Sequence, residues 1–339
     1  MVQNTTKLDV KSETHFVLRT LLRGAGQVMF QCNAWTGLLF LVGIFWGAYT
    51  AHTPQVAWGA LVGLISSTVA GYLMGINYSD GRQGLWGFNG ILVGCAFPTF
   101  LGTGWLMWIT MIFCAMITTW MRRGFNNIYS QYKINSLTFP FVFMTWVFLL
   151  ASRIMPGIAP DALPAEAPID VTNWALDTSF GSLVIYWLKG IAQIFLINNW
   201  VTGAIFLVAL AVSNKWAAFW AALASAVSLA LAILFHADAS DTANGLMGFS
   251  PVLTGIAVGM TFYKVNWRSG LWALAAVVAT VFVQGAMDVA LAPIGIPTLT
   301  GPFCLTTWLF LLPLYKFDDN PNPDYTFWGA VRGDDGDKK

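Results

Sequence analysis

Residues Gly295–Phe310 read GIPTLTGPFCLTTWLF, and residues Lys133–Phe148 read KINSLTFPFVFMTWVF. Each sets a Thr two residues ahead of a Pro-Phe pair and follows it with a long apolar run. Thr138 and Thr300 align at a separation of 162 (300 − 138). A proline at such a point fixes the backbone and removes a donor, so each copy marks a helix break with a hydroxyl beside it, predicted to free backbone carbonyls. Two copies this far apart predict a chain built from two halves.

The surroundings agree. RGAGQVMFQCNAWTGLLF parallels KGIAQIFLINNWVTGAIF, placing Gln27 against Gln193 (193 − 27 = 166). QGLWGFNGILVGCAFP parallels NGLMGFSPVLTGIAVG, placing Phe88 against Phe249 (249 − 88 = 161). Within each half the order is Gln, Phe, Thr, the mark of a duplicated domain and not of a short solenoid repeat.

Composition places both halves in a membrane. Of 339 residues 57% are hydrophobic and 10% charged, against roughly 25% charged in soluble domains. Runs such as WAAFWAALASAVSLALAILF are long enough to cross, since a helix needs about 20 residues for the hydrocarbon. The net charge of +1 gives no reason to expect nucleic acid as partner. The first twenty residues hold Lys7, Lys11, Glu13 and Arg19 and no apolar core, so no cleavable signal is expected. The four cysteines stand singly in apolar segments and read as packing residues.

Basic residues in the connections predict orientation, because Lys and Arg stay cytoplasmic. In the first half they mark the second and fourth connections (Arg82; then Arg122, Arg123 and Lys133). In the second half they mark the first and third (Lys215; then Lys264 and Arg268). Equivalent connections therefore face opposite sides, and the repeats are expected to be inverted. The fold class expected is an all-α polytopic membrane protein with about five spans and one half-spanning re-entrant helix per repeat, enclosing a central pore where the repeats meet. The spans are placed at 34–50, 56–76, 84–100, 104–121 and 136–152, then at 198–213, 216–235, 246–261, 270–286 and 298–315. Segments 20–33 and 184–197 are the half-spanning pieces. Residues 1–152 form the first repeat, 153–179 an extracytoplasmic linker, 180–315 the second repeat and 316–339 a cytoplasmic tail.

A cavity between such repeats would offer the amides of Gln27 and Gln193, the hydroxyls of Thr138 and Thr300, and flat walls from Phe30, Phe88 and Phe249. Val28, Leu92, Ile194 and Leu253, on the same elements, complete the expected lining. None of these residues is charged. That set suits a small, planar, neutral solute with several N–H donors and one carbonyl, and urea fits it. An ammonium channel would want histidines at midspan, whereas His15 and His52 lie outside the spans and His236 touches only a span end. An aquaporin would want paired Asn-Pro-Ala motifs. An ion-coupled carrier would want a buried charge, and Asp288 and Lys189 lie near span boundaries. The tail DDNPNPD (Asp318–Asp324) superficially suggests a magnesium–diphosphate enzyme, but the second acidic cluster such a site needs is missing.

The motifs resemble those of the urea transporter family, whose signature is L-P-x-x-T-x-P-F in each half. Here the copies read IPTLTGPF and INSLTFPF, with Asn135 in place of the first proline and Leu196 at the position equivalent to Phe30. GQVMFQCN and GLWGFNG are similar to the family's pore elements. The resemblance implies passive, channel-like movement of urea through a narrow aromatic slot edged by oxygens, without enzyme activity, cofactor or metal. The alternative is a channel for another small neutral or ammonia-like solute, or a membrane-embedded enzyme. The resemblance also implies a homotrimer; contact with lipid and a plasma (bacterial inner) membrane are expected, and the charges of the connections place both termini on the cytoplasmic side.

Overall fold

The computed structural model describes residues 10–75, 78–159 and 175–313. The tail motif at 318–324 and most of the 153–179 linker lie outside these. Among the described residues the chain is helical, without a strand. The first half runs α1 (Val10–Gln27), α2 (Ala34–Thr50), α3 (Pro54–Leu73), α4 (Tyr78–Arg82), α5 (Phe88–Phe100), α6 (Trp105–Tyr129) and α7 (Phe139–Ala151). The second runs α8 (Phe180–Ala192), α9 (Trp200–Ser213), α10 (Lys215–Leu234), α11 (Ala239–Ala243), α12 (Phe249–Ile256), α13 (Trp267–Leu291) and α14 (Gly301–Leu311). The seven elements recur in the same order at the spacings the motifs predict. Local signals recur too: Asn33 and Asn199 cap α2 and α9 by accepting backbone N–H bonds.

Helix lengths revise the expected division into spans. Among the described residues α3, α6, α10 and α13 are long and apolar enough to cross a membrane, and α8 and α9 meet at a 74° bend, the geometry of a broken span or of a re-entrant pair. α5 and α7 have only 13 residues each and α14 has 11, so each rises about 20 Å or less. α12 is equally short, even with the π-turn Ala257–Thr261 that continues it. The half-length elements therefore include the helices that carry the Phe and Thr motifs. Segment 20–33, expected to be a half piece, is instead the end of the 18-residue α1 and its turn.

The halves meet through exchanged contacts. Thr36 Oγ1 donates to the Ala209 carbonyl at 2.9 Å, and its equivalent Thr202 donates to the Gly43 carbonyl at 2.8 Å. Trp146 Nε1 donates to the Pro297 carbonyl at 2.8 Å, and Trp308 Nε1 to the Asn135 carbonyl at 2.7 Å. Equivalent residues also touch each other, as Phe40 does Phe206 with ring centroids 5.0 Å apart. These swapped pairs and self-pairs all run between equivalent positions of the two halves. At the Asn135 departure Trp308 uses only the backbone carbonyl, and both polar atoms of the buried Asn135 side chain are left without a hydrogen-bond partner among the described residues.

Small residues let the helices behind the site approach closely. A Cβ on Gly59 or Gly63 of α3 would overlap the carbonyl of Gly94 or Gly90 on α5, and one on Gly94 would overlap that of Gly59. A backbone carbonyl cannot swing aside as a side chain can. Gly63→Ala and Gly94→Ala are each expected to cost about 1–3 kcal/mol as overpacked sites, read as a lower melting temperature and less monodisperse protein in detergent. Gly124→Ala, where an added Cβ meets nothing within 4 Å, is the neutral control.

Candidate functional site

Each half contributes its Gln at a helix end. Gln27 closes α1, and Gln193 opens the single 3₁₀ turn after α8. Gln27 Nε2 donates to the Gln83 carbonyl and Gln193 Nε2 to the Asn244 carbonyl, both at 2.8 Å. A carbonyl only accepts, so these bonds settle which way each amide faces. Each Oε1 is left without a hydrogen-bond partner among the described residues, ready to accept.

Next to each Gln the backbone turns sharply. Phe30 (φ 63°) and Leu196 (φ 57°) are left-handed, as are Leu137 (φ 52°) and Leu299 (φ 50°) just ahead of the two threonines. A non-glycine residue there costs roughly 1–2 kcal/mol. All four line cavities. One cavity is walled by Gln27, Val28, Phe30, Leu85, Phe88, Leu137 and Thr138 and leaves about 10 Å³, room for one water at most. The other, of about 270 Å³, is walled by the seven equivalents Gln193, Ile194, Leu196, Leu246, Phe249, Leu299 and Thr300. Phe100, Phe141, Pro297, Thr298, Gln284, Asp241 and Asp288 widen it.

Between the cavities Thr138 Oγ1 and Thr300 Oγ1 lie 2.6 Å apart, sharing one hydrogen bond in a buried setting. Cys304 Sγ sits 3.4 Å from the Thr138 hydroxyl. The threonines are the N-caps of α7 and α14, with Pro140 and Pro302 in the first turn. Of the carbonyls expected to be freed at these breaks, one in each half is taken. The prolines stand where a helix lacks partners for its N–H groups anyway, and the carbonyls one turn back are occupied: Ser136 accepts from Phe139 N, and Thr298 from Gly301 N. What two half-helices bring to this point is their N-termini and the positive ends of their dipoles.

Leu92 and Leu253 lie one turn beyond Phe88 and Phe249, fully buried, and line neither cavity. Val28 and Ile194 line one each. Phe30 meets Phe262 and Phe303 edge-on at 5.5 and 6.0 Å between centroids. Sequence reasoning missed Leu85, Leu246, Leu137 and Leu299, though each pair falls at the repeat spacing inside the duplicated motifs.

The flanks of the two cavities carry different charges. Beside the first, Arg122 Nη1 pairs with Asp80 Oδ2 at 2.8 Å, both side chains largely buried, and the guanidinium carbon lies 5.9 Å from the centre of the Phe88 ring. Beside the second, the position equivalent to Arg122 is Gln284, and Asp288 replaces Asn126. Gln284 Nε2 donates to both Asp288 oxygens at 3.0 and 3.1 Å and faces Thr298 Oγ1 at 2.8 Å. Thr298 Oγ1 donates to Asp288 Oδ1 at 3.1 Å. Asp241, the equivalent of Asp80, has no cation on its carboxylate among the described residues. Burial, then Asp238 and Asp288, push it up to about 6.

Sequence comparison ties this arrangement to known proteins. The profile of the urea transporter family matches residues 18–315. Urea transporter 1 of Ovis aries is 31% identical over 307 residues, covering 89% of this chain and 77% of that protein. The protein of the same name from Rattus norvegicus is 30% identical over the same extents. With nearly the whole two-half architecture inside that match, the chain is an integral membrane protein, not an enzyme, and it belongs to the urea transporter family.

Proposed function

We propose that urea crosses the membrane passively between the two halves, from one cavity to the other past Thr138 and Thr300. The observation that carries this reading is that seven equivalent residues from each half wall two cavities whose boundary is one hydroxyl pair. Oε1 of Gln27, the two hydroxyls and Oε1 of Gln193 form a row of oxygens that replaces water for the urea N–H groups. An unsatisfied polar group costs about 1–3 kcal/mol, so a row of this kind keeps the solute moving. Phe88 and Phe249, with Phe30 and Leu196, hold the solute flat. The helix N-termini at the hydroxyl pair favour the urea carbonyl and repel cations.

By the basic residues of the connections, the Gln27 cavity faces the cytoplasm and the Gln193 cavity the exterior, so the repeats are inverted. Both termini then lie inside, and protomers associate as trimers with one pore each. Leu92 and Leu253, one turn along the same helical faces and outside both cavities, back the phenylalanines of the slot.

Stopped-flow light scattering on proteoliposomes tests the reading. Urea flux is expected to ignore imposed proton and sodium gradients and to exceed glycerol flux. Phe88→Ala and Phe249→Ala should each raise the ratio of N,N′-dimethylurea to urea permeability several-fold, because each removes one wall of the slot. Uphill urea accumulation abolished by an ionophore, or an unchanged ratio in both variants, would sink the passive slot.

A further inference from the structure

The first half fills its own acidic position and the second does not. Asp80, Arg122 and Phe88 form a carboxylate, a guanidinium and an aromatic face in contact. Their equivalents are Asp241, Gln284 and Phe249, all three on the wall of the 270 Å³ cavity. The carboxylate and the ring are kept, the guanidinium is gone, and a second carboxylate has been added at Asp288.

We propose that this cavity binds a small planar cation of the guanidinium or amidinium class, which takes the part that the Arg122 side chain plays in the other half. The free groups are all acceptors. Asp241 has no ion-pair or hydrogen-bond partner on its carboxylate among the described residues. Gln284 is only 2% exposed and its Oε1 has no partner, since its Nε2 is spent on Asp288 and Thr298. Gln193 Oε1 is open as well. These acceptors, with the unpaired Asp241 carboxylate among them, suit above all a cation that is rich in N–H and donates in several directions in one plane, which describes a guanidinium. The Phe249 face suits it, as the Phe88 face suits Arg122. A hard metal ion fits poorly: it wants six or more oxygens, and no group of three or more metal-ligating side chains occurs among the described residues. A guanidinium also sheds water more readily than an ammonium does.

The test reads inhibition of urea flux, and so rests on the reading that this cavity lies on the urea path. Millimolar guanidinium chloride is expected to inhibit flux through the wild type, while potassium chloride at equal ionic strength does not. Asp241→Asn should weaken inhibition about tenfold or more, the loss of a charge-assisted bond. Gln284→Arg should abolish it by supplying a tethered guanidinium, as Arg122 does. Each variant is compared with its own uninhibited flux, so a change in basal rate does not enter. Calorimetric titration of the detergent-solubilised protein with guanidinium chloride, without urea, reports the site independently of the pore. No heat of binding, equal inhibition by potassium, or full sensitivity in both variants would overturn the proposal while leaving the Phe and Thr results standing.

Discussion

Valine at both Thr138 and Thr300 is expected to slow urea flux by about two orders of magnitude, the largest effect of any substitution in the pore. The two hydroxyls sit 2.6 Å apart and satisfy each other when no solute is present. Urea must take over that bond on its way through, so the hydroxyls serve as acceptors at the moment the solute has fewest other partners. Valine keeps the shape and removes the bonding group. Leaving a polar group unsatisfied costs about 1–3 kcal/mol per group. Two such losses, each taken near the lower end of that range at about 1.4 kcal/mol, raise the barrier by about 2.8 kcal/mol, and about 1.4 kcal/mol is one decade of rate. Either single valine should slow flux about tenfold. Serine at either position keeps the hydroxyl and should be close to silent. Stopped-flow measurements at matched protein density decide the matter, and a double valine as fast as wild type would reduce the threonines to helix caps.

Asp80→Asn is expected to lower stability further than either Gly63→Ala or Gly94→Ala. It leaves the Arg122 guanidinium buried without its counter-charge, with the Arg122 side chain only 4% exposed. Removing one partner of a buried pair costs about 3–5 kcal/mol, whereas removing both charges is often near neutral. The double variant Asp80→Asn with Arg122→Gln, the latter being the residue found at the equivalent position 284, should recover most of the loss. Thermal unfolding in detergent and the yield of monodisperse protein give the readout. An Asp80→Asn protein that melts with the wild type would mean that the pair is not supporting the fold. The Phe88 ring lies against this guanidinium, so the single variant should also disturb urea selectivity, and the double should restore it only in part.

Sequence pattern alone made the two halves, their helical nature and the motif residues legible. The repeat spacings locate Gln27 with Gln193, Phe88 with Phe249, and Thr138 with Thr300, because duplication preserves local order whatever the packing. The scarcity of charge determines the membrane setting, since a charged side chain in hydrocarbon is costly at any position. Other features are properties of contacts between distant residues. That Thr138 and Thr300 bond each other is decided by how α7 and α14 are held end to end by the exchanged Trp146 and Trp308 bonds. That α7 and α14 begin afresh at the Thr motifs follows from the left-handed Leu137 and Leu299, a conformation leucine rarely adopts and which only surrounding packing can impose. The unequal flanks were written in the chain as Arg122 against Gln284 and Asn126 against Asp288. Only the tertiary structure turned them into one closed ion pair and one open acidic cavity, because a charge has a partner or lacks one according to where folding brings its neighbours.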